Sequence, residues 1–281
     1  MFMILSSTKD LISGYEHPGG PAFYSSLALY FLGLDDFIVA TTRCVTYDFL
    51  KRLGVNLIPC GVGETVFEVL LNGGRTLKLV RKCSMDLWEI LDKVGDYLVI
   101  SLTMGEVPLD VVEELTRGRR VVVDVQGFIR SVGEDGIVFN DYLRFSQLVR
   151  LECEELVLRG EWYEFPPKCR GVGVVKCVHE SGTSMIVTNG SGPTYFSTTD
   201  GVSGIIQPPQ LIYGRTLGTG DVFTAVFAYE YLVRGTYFEE AVATATSAAS
   251  LRVRDSLPWY TLNEVKVLRE RVLNSFKRIA Y

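Results

Sequence analysis

Residues 218–229 read Gly218-Thr219-Gly220-Asp221-Val-Phe-Thr-Ala-Val-Phe-Ala-Tyr, a glycine-rich turn that runs into an apolar stretch. The two glycines let backbone N–H groups converge on an anion, and the apolar stretch predicts a helix whose amino terminus favours negative charge. A carboxylate repels a neighbouring phosphate. Its presence at a phosphate site therefore indicates a separate task, such as accepting a proton from a nucleophile. Because Asp221 stands in this position, the segment predicts a site for phosphoryl transfer.

The length of the chain suits one large domain, or one large and one small domain, with a full hydrophobic core. The chain has 281 residues and a formal net charge of −5, with no basic block, which argues against a nucleic-acid partner. The apolar run at residues 1–5 is too short for a signal peptide, and no stretch approaches the length of a membrane span. We therefore expect a soluble, cytoplasmic protein with no membrane partner.

The cysteines give no indication of a metal site. Six are present, without a Cys-x-x-Cys pair, at positions 44, 60, 83, 153, 169 and 177. His17 and His179 are the histidines available to assist in zinc binding. We expect reduced, mostly buried thiols.

Apolar runs alternate with helical periods along the chain, which predicts βα units around a mostly parallel sheet. Buried strands are expected at Phe37–Thr41, Tyr97–Leu102, Val121–Val125 and Met185–Thr188. Helices are expected at Pro21–Leu32 and Pro108–Thr116, because each is followed by a glycine that suits a helix end.

Residues 65–80 break this rhythm. Two apolar runs flank Asn72-Gly73-Gly74, a pattern that predicts a β-hairpin. A hairpin inserted into an α/β frame is suited to act as a lid. The expected organisation is a single domain over 1–281 with a lid near residues 62–83, to which residues 12–20 are a candidate addition.

Three local motifs occur in a characteristic order: Gly19-Gly20-Pro21-Ala22 before a helix, Ile186-Val-Thr188-Asn-Gly190 at a strand end, and Thr216-Leu-Gly218-Thr-Gly220-Asp221 at a late helix. This order resembles the ribokinase-like family of carbohydrate and nucleoside kinases, also known as the phosphofructokinase B family. The resemblance runs from about Asp10 to about Arg252, and its most specific part is Gly-Thr-Gly-Asp, which matches the family's Gly-Ala-Gly-Asp signature. It implies a central, mostly parallel sheet flanked by helices, a small β lid, and phosphorylation of a sugar or cyclitol hydroxyl with ATP and Mg²⁺.

The resemblance also implies roles for individual residues. Asp221 matches the catalytic base that deprotonates the acceptor hydroxyl, while Gly218, Thr219 and Gly220 match the anion hole. Asp10 resembles the residue that binds substrate hydroxyls, and Gly19 and Gly20 resemble the hinge that moves when the lid closes. On the nucleotide side the matching residues are Thr188, Gly190 and Thr216. The lid of the family often serves in dimerisation, so a homodimer through the lid is expected.

Two further residues are candidates on the substrate side. Gln126 and Arg130 follow a buried strand, where open α/β sheets bind ligands, and they resemble a substrate-lining stretch of some members. A turn contact for Gln126 and a surface ion pair for Arg130 are the structural alternatives.

Two departures of the chain from the family pattern concern bound ions. Arg215 replaces the acidic residue that helps several members to hold a monovalent cation, so potassium activation is not expected. The Asn-x-x-Glu element, linked to magnesium through water, has its loose match at Glu152-Cys-Glu-Glu155, which makes Glu155 the indirect metal candidate.

Two other functions stay open at this point. One is a nucleoside kinase of the same family, for which Phe23-Tyr24 and the lid supply aromatic side chains. The other is a non-catalytic sugar or nucleotide sensor, suggested by Arg215 and the loose Asn-x-x-Glu match. A P-loop is excluded because Gly-x₄-Gly-Lys-Ser/Thr does not occur, and a dinucleotide-binding motif is incomplete at Gly61-Val-Gly63.

Overall fold

The computed structural model describes residues 1–70, 76–209, 214–255 and 257–279. The strands in this part of the chain are β1 (Phe2–Leu5), β2 (Thr8–Ile12), β3 (Tyr15–Gly19), β4 (Ile38–Arg43), β5 (Leu57–Val62), β6 (Thr65–Leu70), β7 (Thr76–Arg81), β8 (Tyr97–Ser101), β9 (Arg120–Asp124), β10 (Arg130–Val132), β11 (Val138–Asn140), β12 (Glu155–Glu161), β13 (Ser184–Thr188), β14 (Thr194–Ser197), β15 (Ser203–Ile206) and β16 (Lys277–Arg278). The helices are α1 (Gly20–Phe31), α2 (Val45–Arg52), α3 (Leu109–Thr116), α4 (Gln126–Ile129), α5 (Phe145–Leu148), α6 (Gly173–Ser181), α7 (Thr219–Ala228), α8 (Phe238–Arg254) and α9 (Leu262–Leu273).

The large sheet has ten strands within the described residues, in the order β16-β15-β14-β13-β12-β9-β8-β1-β4-β5. All neighbours from β13 to β5 pair in parallel, whereas β14, β15 and β16 add an antiparallel edge. The α/β fold with a mostly parallel sheet is therefore confirmed, and the four strands predicted from apolar runs all occur with ends within two residues.

Helices cover both faces of this sheet. Met3 and Leu5 of β1 face one core, which is shared with α1, α7, α8 and α9. Phe2 and Ile4 face the other core, which includes α3 and α6. The side-chain alternation of a strand thus divides the apolar residues between two layers of helices.

A small separate sheet has the order β3-β2-β6-β7 in the described part of the chain. The predicted hairpin is present as the antiparallel pair β6 and β7, while its turn at 72–74 lies outside the described residues. The sheet also contains β2, which pairs in parallel with β6 and antiparallel with β3. Residues 8–12 were not expected there, because the chain leaves the large sheet at Leu5 and enters the small one three residues later.

One prediction about the cysteines is wrong. Cys169 and Cys177 form a disulfide, with their Cα atoms 5.4 Å apart, while the other four cysteines are free. The sequence reasoning considered closely spaced Cys-x-x-Cys pairs, whereas these two cysteines are eight residues apart in sequence. The chain turns at Gly171, which has a positive φ, and brings the start of α6 back beside Cys169.

None of the helices in the described ranges has the length and apolarity that a membrane crossing requires.

Candidate active site

A cavity of about 440 Å³ lies where the carboxyl ends of the parallel strands meet the small sheet. Open α/β sheets bind ligands at this edge. The predicted site residues that line it are Thr188, Gly190, Thr216, Gly218, Thr219, Gly220 and Asp221 on one side, and Asp10, Gly20, Gln126 and Arg130 on the other. Gly19 adjoins Gly20, and Glu155 lies elsewhere.

The amino terminus of α7 opens into this cavity. Gly218 precedes the helix with φ +80°, a left-handed conformation that favours glycine. The amide of Thr219 donates to the Thr216 carbonyl at 3.3 Å, so it is already used. The amides of Gly220 and Asp221 follow in the first turn, where a helix has no internal acceptors for them. An anion at this end would therefore meet these two amides.

The carboxyl of Asp221 lies in the same first turn and lines the cavity. Removal from bulk water, reinforced by the nearby charge of Asp124, raises the pKa of Asp221 to about 7. The guanidinium groups of Arg159 and Arg130 oppose that rise. A carboxyl with such a pKa exchanges protons readily near neutral pH, as a general base must.

The diglycine segment joins the small sheet to α1. A Cβ on Gly19 would come within 2.7 Å of Thr8 Oγ1, and one on Gly20 within 2.9 Å of Thr8 Cγ2. Gly20 also has φ +77°. Both positions thus require glycine because the backbone passes directly against β2, at the point where the chain enters α1.

Asp10 is buried on β2 of the small sheet and is paired in register with His17 and Phe67. The first strand of the large sheet ends at Leu5, so Asp10 belongs to the small sheet and not to the large one. Its side chain nevertheless lines the cavity.

Gln126 and Arg130 form a joined pair on the same side as Asp10. Arg130 donates to Gln126 Oε1 at 2.7 Å and to the Thr103 carbonyl at 3.3 Å. Its guanidinium also lies 3.6 Å from Glu164 Oε1. Arg130 is therefore held by buried partners rather than in a surface ion pair.

A buried arginine that the sequence reasoning missed lies beneath the first turn of α7. Arg159, near the end of β12, donates to Asp124 Oδ2 at 3.0 Å and to Thr188 Oγ1 at 2.9 Å. A Cβ on Gly220 would lie 2.7 Å from its Nη1, so the guanidinium packs directly against the first turn of α7. Thr224 of α7 donates to the same Asp124 oxygen at 3.0 Å. This network fixes the start of α7 on the sheet edge.

Glu155 is not at the cavity. It begins β12, where Oε2 accepts from Arg120 at 2.7 Å and Oε1 accepts from the Tyr231 hydroxyl. Since β12 ends at Glu161, Glu155 lies roughly 20 Å away along the strand. The carboxylates three residues apart at the cavity are Glu161 and Glu164, which have the spacing of the Asn-x-x-Glu element.

Glu164 has the features of an indirect metal ligand. It is buried, its Oε2 accepts from the Glu161 amide at 2.8 Å, and its Oε1 has no hydrogen-bond partner among the residues that the structure describes. Burial, with a contribution from Asp124, raises the pKa of Glu164 to about 7. No cluster of three or more acidic, histidine or cysteine side chains suited to a metal occurs among residues 1–70, 76–209, 214–255 and 257–279. The residues present thus fit a magnesium ion held through water and the donor rather than by a protein cage.

On the side of the cavity that α7 borders, Thr188 ends β13 and Gly190 follows with φ +53°. The Thr188 hydroxyl is engaged by Arg159 and the Gly160 carbonyl, while the Gly190 amide donates to Glu161 Oε2 at 3.3 Å. Thr216 accepts from the hydroxyl of Thr219 at 2.9 Å. These residues shape the loops around α7.

Structural comparison finds kinases across nearly the whole chain. A pyrophosphate-dependent myo-inositol-1 kinase, altered to a myo-inositol-3 kinase, has 18% identity and a TM-score of 0.74, covering 97% of this chain and 100% of that one. A possible 1-phosphofructokinase from Thermotoga maritima has 15% identity and a TM-score of 0.70, covering 99% of each chain. Phosphofructokinase-2 from Escherichia coli, solved with substrates and products, has 15% identity and a TM-score of 0.67, covering 97% of this chain and 99% of that one.

Sequence comparison gives a narrower result. No curated protein is significantly similar to the chain. Residues 167–262, which contain the whole of α7 and α8, match the model of the pfkB family carbohydrate kinases. Residues 167–262 are therefore similar in sequence to the pfkB family carbohydrate kinases, and the chain as a whole has the fold of the kinases compared above.

Proposed function

We propose that this protein uses ATP to phosphorylate a hydroxyl of an uncharged sugar or cyclitol, with Asp221 as the general base. The observation that carries the proposal is the first turn of α7, where a carboxyl of raised pKa stands beside amides that have no helical acceptor. An anion site and a base within one turn are what transfer to an alcohol needs.

In this mechanism Asp221 removes the proton of the acceptor hydroxyl as that oxygen attacks the γ-phosphorus. The new O–P bond forms while the bond to the bridging oxygen breaks, and ADP leaves with that electron pair. The amides of Gly220 and Asp221 stabilise charge on the transferring group, and Arg159 adds a fixed positive charge behind Gly220. Magnesium, when bound with the donor near Glu164, neutralises charge on the β- and γ-phosphates.

The charges around the part of the cavity proposed to hold the acceptor support an uncharged substrate. Asp10, Glu164 and Asp221 line the cavity, and Arg130 already lies against Glu164. A phosphorylated sugar would bring nearly two more negative charges into this acidic surrounding. The Asp10 carboxylate and the Gln126–Arg130 pair instead match the hydroxyl groups of a polyol, as acceptors and donors.

The small sheet is proposed as the lid of a single domain over 1–281. Phe67 of β6 and Leu77 of β7 line the cavity from that side, and Gly19 and Gly20 form the connection at which it would move. Closure would keep water from the phosphoryl group. Dimerisation through this sheet stays a prediction.

The shape of the cavity bears on the choice of phosphoryl donor. The cavity continues past the anion hole between Pro208 and α8, where Ala249 and Val253 offer room for a purine. This favours ATP. Pyrophosphate is the second candidate, because three of the similar solved structures are described as pyrophosphate-dependent kinases.

The nucleoside alternative has less support. Phe23 and Tyr24 are buried in the core beside α7 rather than lining an open pocket. Stacking of a base would have to rely on other aromatic side chains.

The test is a panel of acceptors with ATP or pyrophosphate and Mg²⁺, read as acceptor phosphorylation. The panel contains myo-inositol, ribose, fructose, fructose 6-phosphate and adenosine. We expect product with an uncharged polyol, and with Asp221→Asn a loss of about 10³-fold or more in kcat at unchanged donor affinity.

Asp110→Asn is the matched control, because Asp110 is exposed in the first turn of α3 and the chemical change is identical. Tight polyol binding without any phosphorylated product would favour the sensor. Preference for fructose 6-phosphate would contradict the uncharged acceptor, and near-normal turnover of Asp221→Asn would remove the base assignment.

A further inference from the structure

The segment that leads into the anion hole rests on the last turn of α8. The Arg215 amide donates to the Val253 carbonyl at 3.2 Å, and a Cβ on Gly214 would meet that carbonyl oxygen at 1.9 Å. The position of Gly218 therefore depends on this turn of α8, which also contains Arg252.

Arg252 is 1% exposed, and its guanidinium carbon lies 4.8 Å from the centroid of the Tyr24 ring. The same ring lies against Gly218, since a Cβ there would fall 2.2 Å from Tyr24 Cγ. A single aromatic ring thus contacts both the buried guanidinium and the glycine that begins the anion hole.

Within the described residues, the charge of Arg252 lacks an acidic partner. Its Nη1 donates to the Asp255 carbonyl, and its Nε has no hydrogen-bond partner in that part of the chain. Among the residues that the structure describes, no carboxylate oxygen lies within 4 Å of its guanidinium, in contrast to Arg159 and Arg254. Burial raises the pKa of both Tyr24 and Tyr260, so these phenols are neutral and leave the positive charge in place.

We infer that Arg252 is a positioning residue for the phosphate donor: it supplies a fixed positive charge behind the anion hole and holds the Tyr24 ring against Gly218. The inference rests on the proposed function in naming the donor, and it extends that function to a residue outside the cavity. A buried cation without a carboxylate is unfavourable alone, and a bound phosphate anion offsets that cost. The charge also makes a bound monovalent cation unnecessary at this place.

The test compares three variants with the wild type. Arg252→Met keeps the length of the side chain and removes its charge, Arg252→Lys keeps the charge, and Arg254→Met removes an exposed charge from the same turn as the control. Isothermal titration with inorganic pyrophosphate and Mg²⁺ measures anion affinity without turnover. Steady-state kinetics then separates donor from acceptor parameters.

A unit charge roughly 8–10 Å from the phosphoryl group, at an effective dielectric constant of about 20, corresponds to a factor of roughly 15 to 30. We expect Arg252→Met to lower pyrophosphate affinity and donor kcat/KM by this factor and to leave acceptor KM unchanged. Arg252→Lys should recover most of the loss, and Arg254→Met should behave as the wild type. Wild-type affinity of Arg252→Met for pyrophosphate, or equal losses in donor and acceptor parameters, would overturn the inference.

A second measurement needs no variant, in case Arg252→Met does not fold. Wild-type affinity for pyrophosphate is compared in KCl, NaCl and choline chloride at equal ionic strength. We expect equal values, whereas a severalfold gain in potassium would show that a bound ion, and not Arg252, supplies the charge. Because both binding assays work without an acceptor, failure to find a phosphorylated product would contradict the proposed function alone.

Discussion

Gly218 offers the sharpest test of how the proposed anion hole is built. Replacement by alanine has two separable costs. The first is conformational, because φ is +80°, and the second is steric, because the new Cβ would lie 2.2, 2.3 and 2.6 Å from three carbon atoms of the Tyr24 ring. Such distances force the ring or the helix start to move.

The loss in free energy of unfolding that Gly218→Ala causes can be worked out by comparison with Gly201→Ala. Gly201 has a similar φ of +91°, and a Cβ there meets nothing within 4 Å, so Gly201→Ala isolates the conformational cost of about 1 kcal/mol. Gly218→Ala adds overpacking of about 1–3 kcal/mol, for a total of about 2–4 kcal/mol. The displacement of the first turn of α7 should lower donor kcat/KM by about 100-fold.

The assay is urea unfolding followed by far-ultraviolet circular dichroism, with both variants measured beside the wild type. A Gly218→Ala variant that loses no more free energy of unfolding than Gly201→Ala would refute the close packing of Tyr24 on Gly218. The inference about Arg252 would then lose its structural link to the anion hole.

Three further predictions concern the ionisation of Asp221 and the disulfide. Because the pKa of Asp221 is raised from 3.8 to about 7, kcat/KM should rise with pH through about 7 and then level off, and a flat profile from pH 5 to 8 would contradict the base role. The native state binds more protons than the unfolded state between those two values, so the stability contributed by protonated Asp221 is present below about pH 4 and is lost as pH rises through 7. Asp221→Asn should therefore be more stable than the wild type at pH 8, measured by urea unfolding, and a less stable variant would be the contrary result. Cys177→Ser should lower the free energy of unfolding by about 2–3 kcal/mol, a loss that dithiothreitol should reproduce in the wild type if the disulfide is its source.

The parts of the fold that were predictable depend on local patterns. The buried strands follow from continuous apolar runs, and the start of α7 follows from two glycines before a helical period. The pairing of β2 with β6 was not predictable in the same way, because parallel neighbours within the small sheet are more than fifty residues apart in sequence. Its consequence for Asp10, which reaches the cavity from the small sheet, was therefore missed.

The carboxylates of the site illustrate a second limit. The strand β12 reads Glu155-Leu-Val-Leu-Arg159-Gly160-Glu161, so its apolar run is short and is followed by polar residues. The loose match to the Asn-x-x-Glu element, which ends at Glu155, lies at the beginning of this strand, whereas the cavity lies at its end. Recognition of β12 as a parallel strand would have directed attention to Glu161 and Glu164, since ligands bind at the carboxyl ends of such strands.

Buried arginines are the hardest site residues to predict, because arginine is ordinarily exposed. In the proposed mechanism their charges decide whether Asp221 is usable as a base. Burial and Asp124 raise the pKa of Asp221, and Arg159 and Arg130 oppose that rise. Without the arginines the carboxyl would hold its proton at neutral pH and could not accept another. The guanidinium that packs against Gly220 therefore has two connected effects: it attracts the phosphoryl group, and it keeps the neighbouring carboxyl ionisable near pH 7.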